Sequence, residues 1–174
     1  MITIYQKTSK LIKNIVLITA LHLLPLAFAI ADETYEMSNP ANQKISLRLA
    51  LTTHEHSRGL SGVKASDFPA DKGMLFVNDA MGTRRFWMPD TYFNLDIIFL
   101  DSDLKIVGIE KNVSAHPGMS EPPVIYRTKA YKAQYVLETK ASAPFSKKLK
   151  IGDQLKWMSP SSLSEIALKT RQKQ

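Results

Sequence analysis

The chain has 174 residues, contains no cysteine and carries a formal net charge of +7 at pH 7. Without cysteine the protein can form neither disulfides nor thiolate metal sites, and enzymes with a cysteine nucleophile are excluded. The length suits one domain after a targeting segment is removed, so we expect a single hydrophobic core.

Residues 1–31 have the pattern of a secretory signal peptide. Three lysines precede an apolar run over 15–29, which is shorter than the roughly 20 residues that a membrane-spanning helix needs. An uncleaved membrane anchor is the alternative, and Pro25 within the run disfavours it. Small residues follow the run, and we expect cleavage after Ala31. We therefore expect an exported protein, periplasmic or secreted, with no transmembrane span after cleavage.

The net charge of the expected mature chain is modest. Residues 1–31 hold three of the 23 basic residues and none of the 16 acidic ones, which leaves 143 residues with a net charge of +4. Such an excess is typical of a solvated surface and also suits contact with an anionic envelope polymer. Basic and aromatic residues do not alternate along the chain, and export would remove it from the cytoplasm. Nucleic acid is therefore not expected as a partner.

The first predicted elements follow a polar segment. Residues 32–42 predict a flexible lead-in, and the fold is expected to begin near Gln43. Alternating apolar residues over 45–51 predict a half-buried strand. Thr53 can then cap a short helical turn that ends at Gly59.

Short strands separated by turns dominate the rest of the chain. They are predicted at 73–77, 85–88, 95–100, 104–110, 124–127, 134–138 and 154–158. Residues 78–82 predict the turn between the first two, and residues 101–103 predict a hairpin between the third and fourth. Short helices are predicted around 145–149 and, from the capping-box spacing of Ser162 and Glu165, at 163–171.

These elements predict a mainly β, α+β fold. We expect a compact single domain whose antiparallel sheet curls into a sandwich or a partly closed barrel, with one or two short helices. The predicted limits are 43–158 for the β-rich domain and 159–174 for a C-terminal tail that carries the last helix.

The segment Trp87-Met88-Pro89-Asp90-Thr91 combines large apolar side chains with polar ones that packing does not require. Neighbouring side chains of a strand point to opposite faces, so one of Trp87 and Met88 fills the core while the other lines a depression. Asp90 and Thr91 follow on a loop beside that depression. A ring next to a carboxylate and a hydroxyl suits a sugar or another amphipathic small molecule.

Asp96 interrupts the apolar run over 95–100. A buried carboxylate without a partner costs several kcal/mol, and we predict Arg58 as the partner. Two roles are open for this pair. It can fix the fold, or Asp96 can act with Asp90 as an acid/base pair while Arg58 stabilises developing negative charge.

Histidines offer a metal site only under one local geometry. If 54–58 is helical, His54 and His56 point to nearly opposite sides and cannot bind one ion. If the segment is extended, they share a face and His116 becomes a candidate third ligand. Since no third ligand lies nearby in the sequence, we predict no metal site and no cofactor.

Several motifs occur in this order: Arg58-Gly59-Leu60, Gly73-Met74-Leu75-Phe76, Phe86-Trp87-Met88-Pro89-Asp90-Thr91, Leu95-Asp96 with Phe99, Tyr135-Val136-Leu137-Glu138 and Gly152-Asp153. Over residues 43–158 the chain thereby resembles the DUF192 family of small, often exported proteins without an assigned activity. The resemblance implies a compact β-rich domain and no particular reaction. The family's motif positions imply a site made of Arg58, Trp87, Met88, Asp90, Thr91 and Asp96.

Three functions fit these residues. We favour an exported, non-catalytic domain that binds a small molecule or an envelope glycan fragment in a groove near Trp87, Asp90, Thr91 and Asp96. The first alternative is a hydrolase or lyase that uses the Asp90 and Asp96 acid/base pair with Arg58. The second alternative is a structural or assembly partner in the cell envelope, with the apolar segment as a protein-binding edge.

Overall fold

The computed structural model describes residues 34–172. Its strands are β1 (Tyr35–Ser38), β2 (Lys44–Ala50), β3 (Lys72–Arg84), β4 (Leu95–Leu100), β5 (Ile106–Val113), β6 (Tyr131–Lys140) and β7 (Lys156–Trp157). Its helices are α1 (Thr53–Arg58), α2 (Pro144–Lys147) and α3 (Leu163–Arg171), with a 3-10 turn at Ala65–Asp67. The strands form one sheet in the order β5-β4-β6-β3-β2-β1-β7.

Hydrogen bonds near both edges of the sheet bring it towards closure. At one edge β7 pairs with β1. The segment just before β7 bonds to the start of β5 at the other edge: Leu155 N–H donates to Leu104 O (3.1 Å) and Ile106 N–H donates to Asp153 O (2.9 Å). The mainly β single domain with a curled, partly closed sheet is therefore confirmed.

One pair of neighbouring strands departs from the predicted antiparallel arrangement. β2 and β3 are parallel, with Leu49 opposite Leu75, because the chain crosses over through α1 between them. The other strand pairs are antiparallel, including the predicted hairpin of β4 and β5.

Apolar side chains are buried on both faces of the sheet, since alternate residues of a strand point to opposite faces. The helix face carries α2 and α3, and its core includes Leu75, Ile98, Leu137, Phe145 and Leu163. The cleft face is covered by the segments that follow β2 and β3, and its core includes Leu60, Phe76, Met88, Ile97 and Val136.

The fold begins earlier than the sequence predicted. β1 lies between β2 and β7, and Met37 in this strand is fully buried. The predicted flexible lead-in over 32–42 and the start near Gln43 are therefore wrong from Tyr35 onward. The polar residues around β1 gave no strand pattern in the sequence. The strand is defined by its pairing with β2 and with β7, near the end of the chain.

β3 continues through the predicted turn over 78–82. A register shift against β6 between Val77 and Gly82 accommodates these residues without ending the strand. The separate strands predicted at 85–88 and 124–127 are reduced to one bridge between Trp87 and Arg127.

The C-terminal segment belongs to the domain. α3 begins with the predicted capping box, in which Ser162 Oγ accepts from Glu165 N–H and the Glu165 carboxylate accepts from Ser162 N–H. Leu163 and Ile166 are buried in the helix-face core. No helix within residues 34–172 is long and apolar enough to cross a membrane, and the predicted signal peptide over 1–31 lies outside the described residues.

Candidate functional site

A cleft of about 290 Å³ opens on the cleft face of the sheet. The end of α1 and the residues that follow it form one wall, and residues 83–91 form the other. β3 and β6 contribute the buried side chains of Phe76 and Glu138 to its floor. The cleft is therefore built from elements that lie next to each other only after β2 and β3 have paired.

Local hydrogen bonds fix α1 against the sheet. Thr52 Oγ1 accepts from Glu55 N–H (3.2 Å), and Glu55 Oε2 accepts from the N–H groups of Leu51 and Thr52 (2.9 Å each). The N-cap is thus Thr52, one residue before the predicted Thr53. The helix ends at Gly59, whose φ is +49° and where a Cβ would lie 3.2 Å from the Phe76 ring. Glycine satisfies both constraints.

Trp87 provides the aromatic wall of the cleft. Its side chain is 48% exposed, and the Arg127 guanidinium lies 5.6 Å from the ring centroid. The adjacent Met88 is fully buried in the cleft-face core. The alternation predicted for this pair is confirmed, but Met88 as a ligand-binding residue is wrong because its side chain points into the core.

Arginines dominate the charge of the cleft. Arg58 comes from α1, Arg84 from the end of β3 and Arg85 from the residue after it. Arg84 Nη2 donates to Ala80 O (2.8 Å), whereas its buried Nε has no hydrogen-bond partner among residues 34–172. The cleft is therefore lined by guanidinium groups, and the buried Nε–H of Arg84 has no acceptor in the described part of the chain.

Glu138 is the acidic side chain that lines this cleft. It stands opposite Met74 on β3 and Ile97 on β4, and its residue exposure is 4%. Its Oε2 has no hydrogen-bond partner in the described part of the chain. Burial raises the pKa of Glu138 to about 8, so the carboxyl is mostly protonated at neutral pH.

Asp96 lies on the opposite face of the sheet from Glu138. It pairs with Thr139, the residue next to Glu138, and therefore points to the helix face. There its carboxylate accepts from Ser146 Oγ (2.6 Å), from Asn112 N–H (2.9 Å) and from Lys111 Nζ (3.2 Å). The predicted pairing with Arg58 is wrong, and Asp96 does not line the cleft.

Asp90 and Thr91 have different positions. Thr91 lines the cleft, where its Oγ1 donates to Met88 O (3.0 Å) and accepts from His116 N–H (3.0 Å). Asp90 has a φ of +50°, and its carboxylate accepts from Tyr92 Oη (2.8 Å) and from Gly118 N–H (3.2 Å). The Asp90 side chain holds the neighbouring loop and is not among the groups that line the cleft, so this cleft contains neither the Asp90 nor the Asp96 carboxyl.

Comparison with known proteins places this arrangement in a family. Residues 35–157 match the sequence profile of DUF192, described as "Uncharacterized ACR". The chain belongs to the DUF192 family. None of the curated proteins compared with it matches.

Two crystal structures are similar to this DUF192 protein. One is a protein from Sinorhizobium meliloti 1021, provisionally described as a transcription regulator, with 25% identity and a TM-score of 0.57 over 72% of this chain and 92% of that one. The other is a protein of unknown function from Novosphingobium aromaticivorans DSM 12444, with 22% identity and a TM-score of 0.57 over 71% of this chain and 84% of that one. The second likeness shows the fold alone.

The histidines of this DUF192 protein are held apart. His54 and His56 lie on α1, where residues two apart do not share a side, and His56 Nε2 lies 2.9 Å from Ala50 O. His116 Nε2 lies 2.9 Å from Ser120 O. Within residues 34–172 no three histidine, aspartate or glutamate side chains are grouped so that they could hold a metal ion.

Glu138, Arg84 and Arg85 are the charged lining residues that the sequence did not reveal. Glu138 ends the apolar run Tyr135-Val136-Leu137 and is followed by polar residues, so its signal is weaker than that of Asp96, which stands inside an apolar run. The sequence could not show that one of these carboxyls faces a helix while the other faces a cleft.

Proposed function

We propose that this DUF192 protein is a non-catalytic domain that binds a small anionic molecule with a flat apolar part. The observation that carries the proposal is the exposed indole of Trp87 in one cleft with Arg58, Arg84 and Arg85. An indole stacks on a sugar or aromatic ring, while guanidinium groups bind carboxylate or phosphate through paired hydrogen bonds. An acidic glycan fragment belongs to this class of ligand.

The proposal keeps part of the predicted groove. Trp87, Thr91 and Arg58 remain as lining residues, whereas Asp90 and Asp96 are bound to other parts of the protein. An acid/base mechanism on those two carboxyls is not proposed, because both are already engaged and neither lines this cleft.

Ligand binding can be followed through tryptophan fluorescence. We expect a saturable change when glucuronate or benzoate is added, and a weaker or absent response to glucose, which has the sugar ring without the charge. Trp87→Ala should abolish the change, and Arg58→Ala should weaken binding about tenfold. No saturable response to either anion would contradict the proposal.

The second tryptophan of the sequence supplies the matched control. Trp157 stacks on Tyr35 with ring centroids 5.6 Å apart and donates its indole N–H to Ser161 O (2.7 Å). It is not among the lining residues of the cleft. Trp157→Phe should therefore leave both the affinity and the ligand-induced change of Trp87 intact.

We also propose that the protein acts after export, on the strength of the signal-peptide pattern in residues 1–31. In a bacterial host we expect the protein in the exported fraction with Asp32 as its first residue, as measured by fractionation and intact-mass spectrometry. A variant without residues 2–31 should stay in the cytoplasm. Full-length protein retained inside the cell would contradict this proposal.

A further inference from the structure

We propose that Glu138 determines which ligands the cleft accepts: its carboxyl donates a hydrogen bond to an oxygen of the ligand's anionic group. The inference rests on the proposed function and deepens it. It assigns a carboxylate or another oxyanion as the part of the ligand that reaches the floor of the cleft.

Among the described residues, the Glu138 carboxyl lacks a protein partner for its buried oxygen. Buried polar atoms are almost always hydrogen-bonded, because an unpaired one loses its contacts with water without compensation. Within residues 34–172 only three buried side-chain polar atoms lack a partner, and two of them, Glu138 Oε2 and Arg84 Nε, belong to residues that line this cleft. The two atoms are far apart along β6, where Glu138 stands opposite Met74 and Arg84 opposite Tyr131. An oxyanion near Glu138 would therefore supply a partner for the carboxyl alone.

Glu138 also keeps its proton at neutral pH. Burial raises its pKa to about 8, and in the described residues it forms no ion pair that would favour the charged form. A buried carboxyl that keeps its proton at neutral pH can donate a hydrogen bond to an anion that a carboxylate would repel. Glu138 thereby selects anions although it is an acidic residue.

The charged and titratable groups around the cleft agree with this assignment. α1 contributes His56 and Arg58, and the end of β3 contributes Arg84 with Arg85 after it. The strand neighbours of Glu138, Met74 on β3 and Ile97 on β4, carry no charge. The charged groups that line the cleft with Glu138 are therefore cationic, its strand neighbours are apolar, and none of them repels an anion.

Three ring compounds of similar size test the inference: benzoate is an anion, benzyl alcohol is neutral and benzylamine is a cation. Binding to the purified protein is measured by titration calorimetry from about pH 6 to about pH 9.5. We expect benzoate to bind best, with an affinity that is constant below about pH 8 and falls up to tenfold per pH unit above it, as Glu138 becomes charged.

Matched variants separate Glu138 from other titrating groups. Glu138→Gln cannot lose a proton and keeps a donor, so its benzoate affinity should stay constant to about pH 9.5. Glu36→Gln changes an exposed glutamate that pairs with Lys44, and it should keep the wild-type pH profile. The same decline in wild type and Glu138→Gln would overturn the inference while leaving the proposed function in place.

The other outcomes are also decisive. Tighter binding of benzylamine than of benzoate would show that Glu138 acts as a carboxylate, and it would overturn the inference. No binding of any of the three compounds would overturn the proposed function and the inference together.

A direct measurement covers the case in which Glu138→Gln does not fold. Carboxyl carbon NMR of the wild-type protein should show one glutamate that titrates near pH 8, and saturating benzoate should move that midpoint upward. A midpoint near 4.5, or one that benzoate lowers, would overturn the inference.

Discussion

The hydroxyl of Ser146 on α2 donates a hydrogen bond of 2.6 Å to the carboxylate of Asp96 on β4. Both residues are buried, and the same carboxylate accepts from Asn112 N–H on β5 and from Lys111 Nζ. Asp96 therefore connects α2 to two strands on the helix face. These bonds give Asp96 a structural role, which is one of the two roles that the sequence allowed.

Asp96→Ala should lower the free energy of unfolding by about 3 kcal/mol, because it leaves a buried hydroxyl and a lysine without their acceptor. The Lys111 side chain is 39% exposed, so its share of that cost is reduced by solvent. Urea unfolding measures the change. Lys44→Ala, which breaks an exposed ion pair with Glu36, should cost less than about 0.5 kcal/mol. Loss of benzoate binding at unchanged stability would instead place Asp96 in the cleft.

Glu138 should make the protein less stable as the pH rises. In the unfolded chain this glutamate loses its proton near its ordinary pKa of 4.5, whereas burial keeps it protonated in the fold up to about pH 8. Between these values the unfolded state binds fewer protons, so stability falls by up to about 1.4 kcal/mol per pH unit and then levels off. Urea unfolding from about pH 5 to about pH 9 should show this decline in wild type and a smaller one in Glu138→Gln. Parallel declines would contradict the burial of a protonated carboxyl.

Gly108 on β5 lies against the ring of Tyr131, and a Cβ at this position would be 2.2 Å from Tyr131 Cδ1. The ring cannot easily move, because it stacks on Phe99 with centroids 4.3 Å apart and its hydroxyl donates to Glu110 (2.9 Å). Gly108→Ala should therefore cost about 2–3 kcal/mol in the free energy of unfolding.

Two further variants check the cause of the Gly108 effect. Gly82→Ala changes another strand glycine, but its nearest neighbours are atoms of the movable Arg84 guanidinium at 3.1 to 3.4 Å, so it should cost less. Gly108→Ala combined with Tyr131→Leu should be less destabilising than the sum of the two single changes. Simple additivity would show that the contact with the ring is not the cause.

Thr52→Ala should cost about 1 kcal/mol of stability, because Glu55 N–H at the start of α1 loses its cap. Since α1 carries Arg58 to the cleft, we also expect benzoate affinity to fall several-fold. Ser162→Ala removes the equivalent cap of α3, and it should cost a similar amount of stability without changing the affinity. Equal effects of the two changes on affinity would contradict the positioning role of α1.

Lowering the pH should reduce the stabilisation that the Glu55 carboxylate gives to the start of α1. Burial alone would raise the pKa of Glu55, but hydrogen bonds from Leu51 and Thr52 outweigh burial and lower it. The stabilisation by this carboxylate is therefore present above its ordinary pKa of 4.5 and is lost as the pH falls through the lowered value. The stability difference between Thr52→Ala and wild type should shrink over that range, which urea unfolding at successive pH values would show.

Local periodicity explains what the sequence predicted well. The strands around Ile45 and Ile98, the hairpin that follows, and the capping box at Ser162 depend on residues close together in the chain, and the structure confirms them. β1 was missed because it is defined by its pairing with β2 and with β7, which lies far along the chain. Long-range pairing leaves little trace in a short polar segment.

In the candidate site, too, the features that depend on local sequence were predictable and those that depend on strand pairing were not. The alternation of Trp87 and Met88 was predictable, since it needs only the geometry of an extended chain. The partner of Asp96 was not, because the register of β4 against β6 determines which sheet face receives the carboxylate. The same register directs Glu138 to the opposite face, so acidic residues on two neighbouring strands lie in different parts of the structure.

The bonds that join residues 104–106 to residues 153–155 also determine when the sheet is protected. An uncovered strand edge can pair with other chains and begin aggregation. The start of β5 is covered by a segment that is made late in synthesis, so a shortened or unfinished chain that ends before residue 150 would leave it open. Residues 153–155 therefore cover backbone groups that could otherwise pair with another chain.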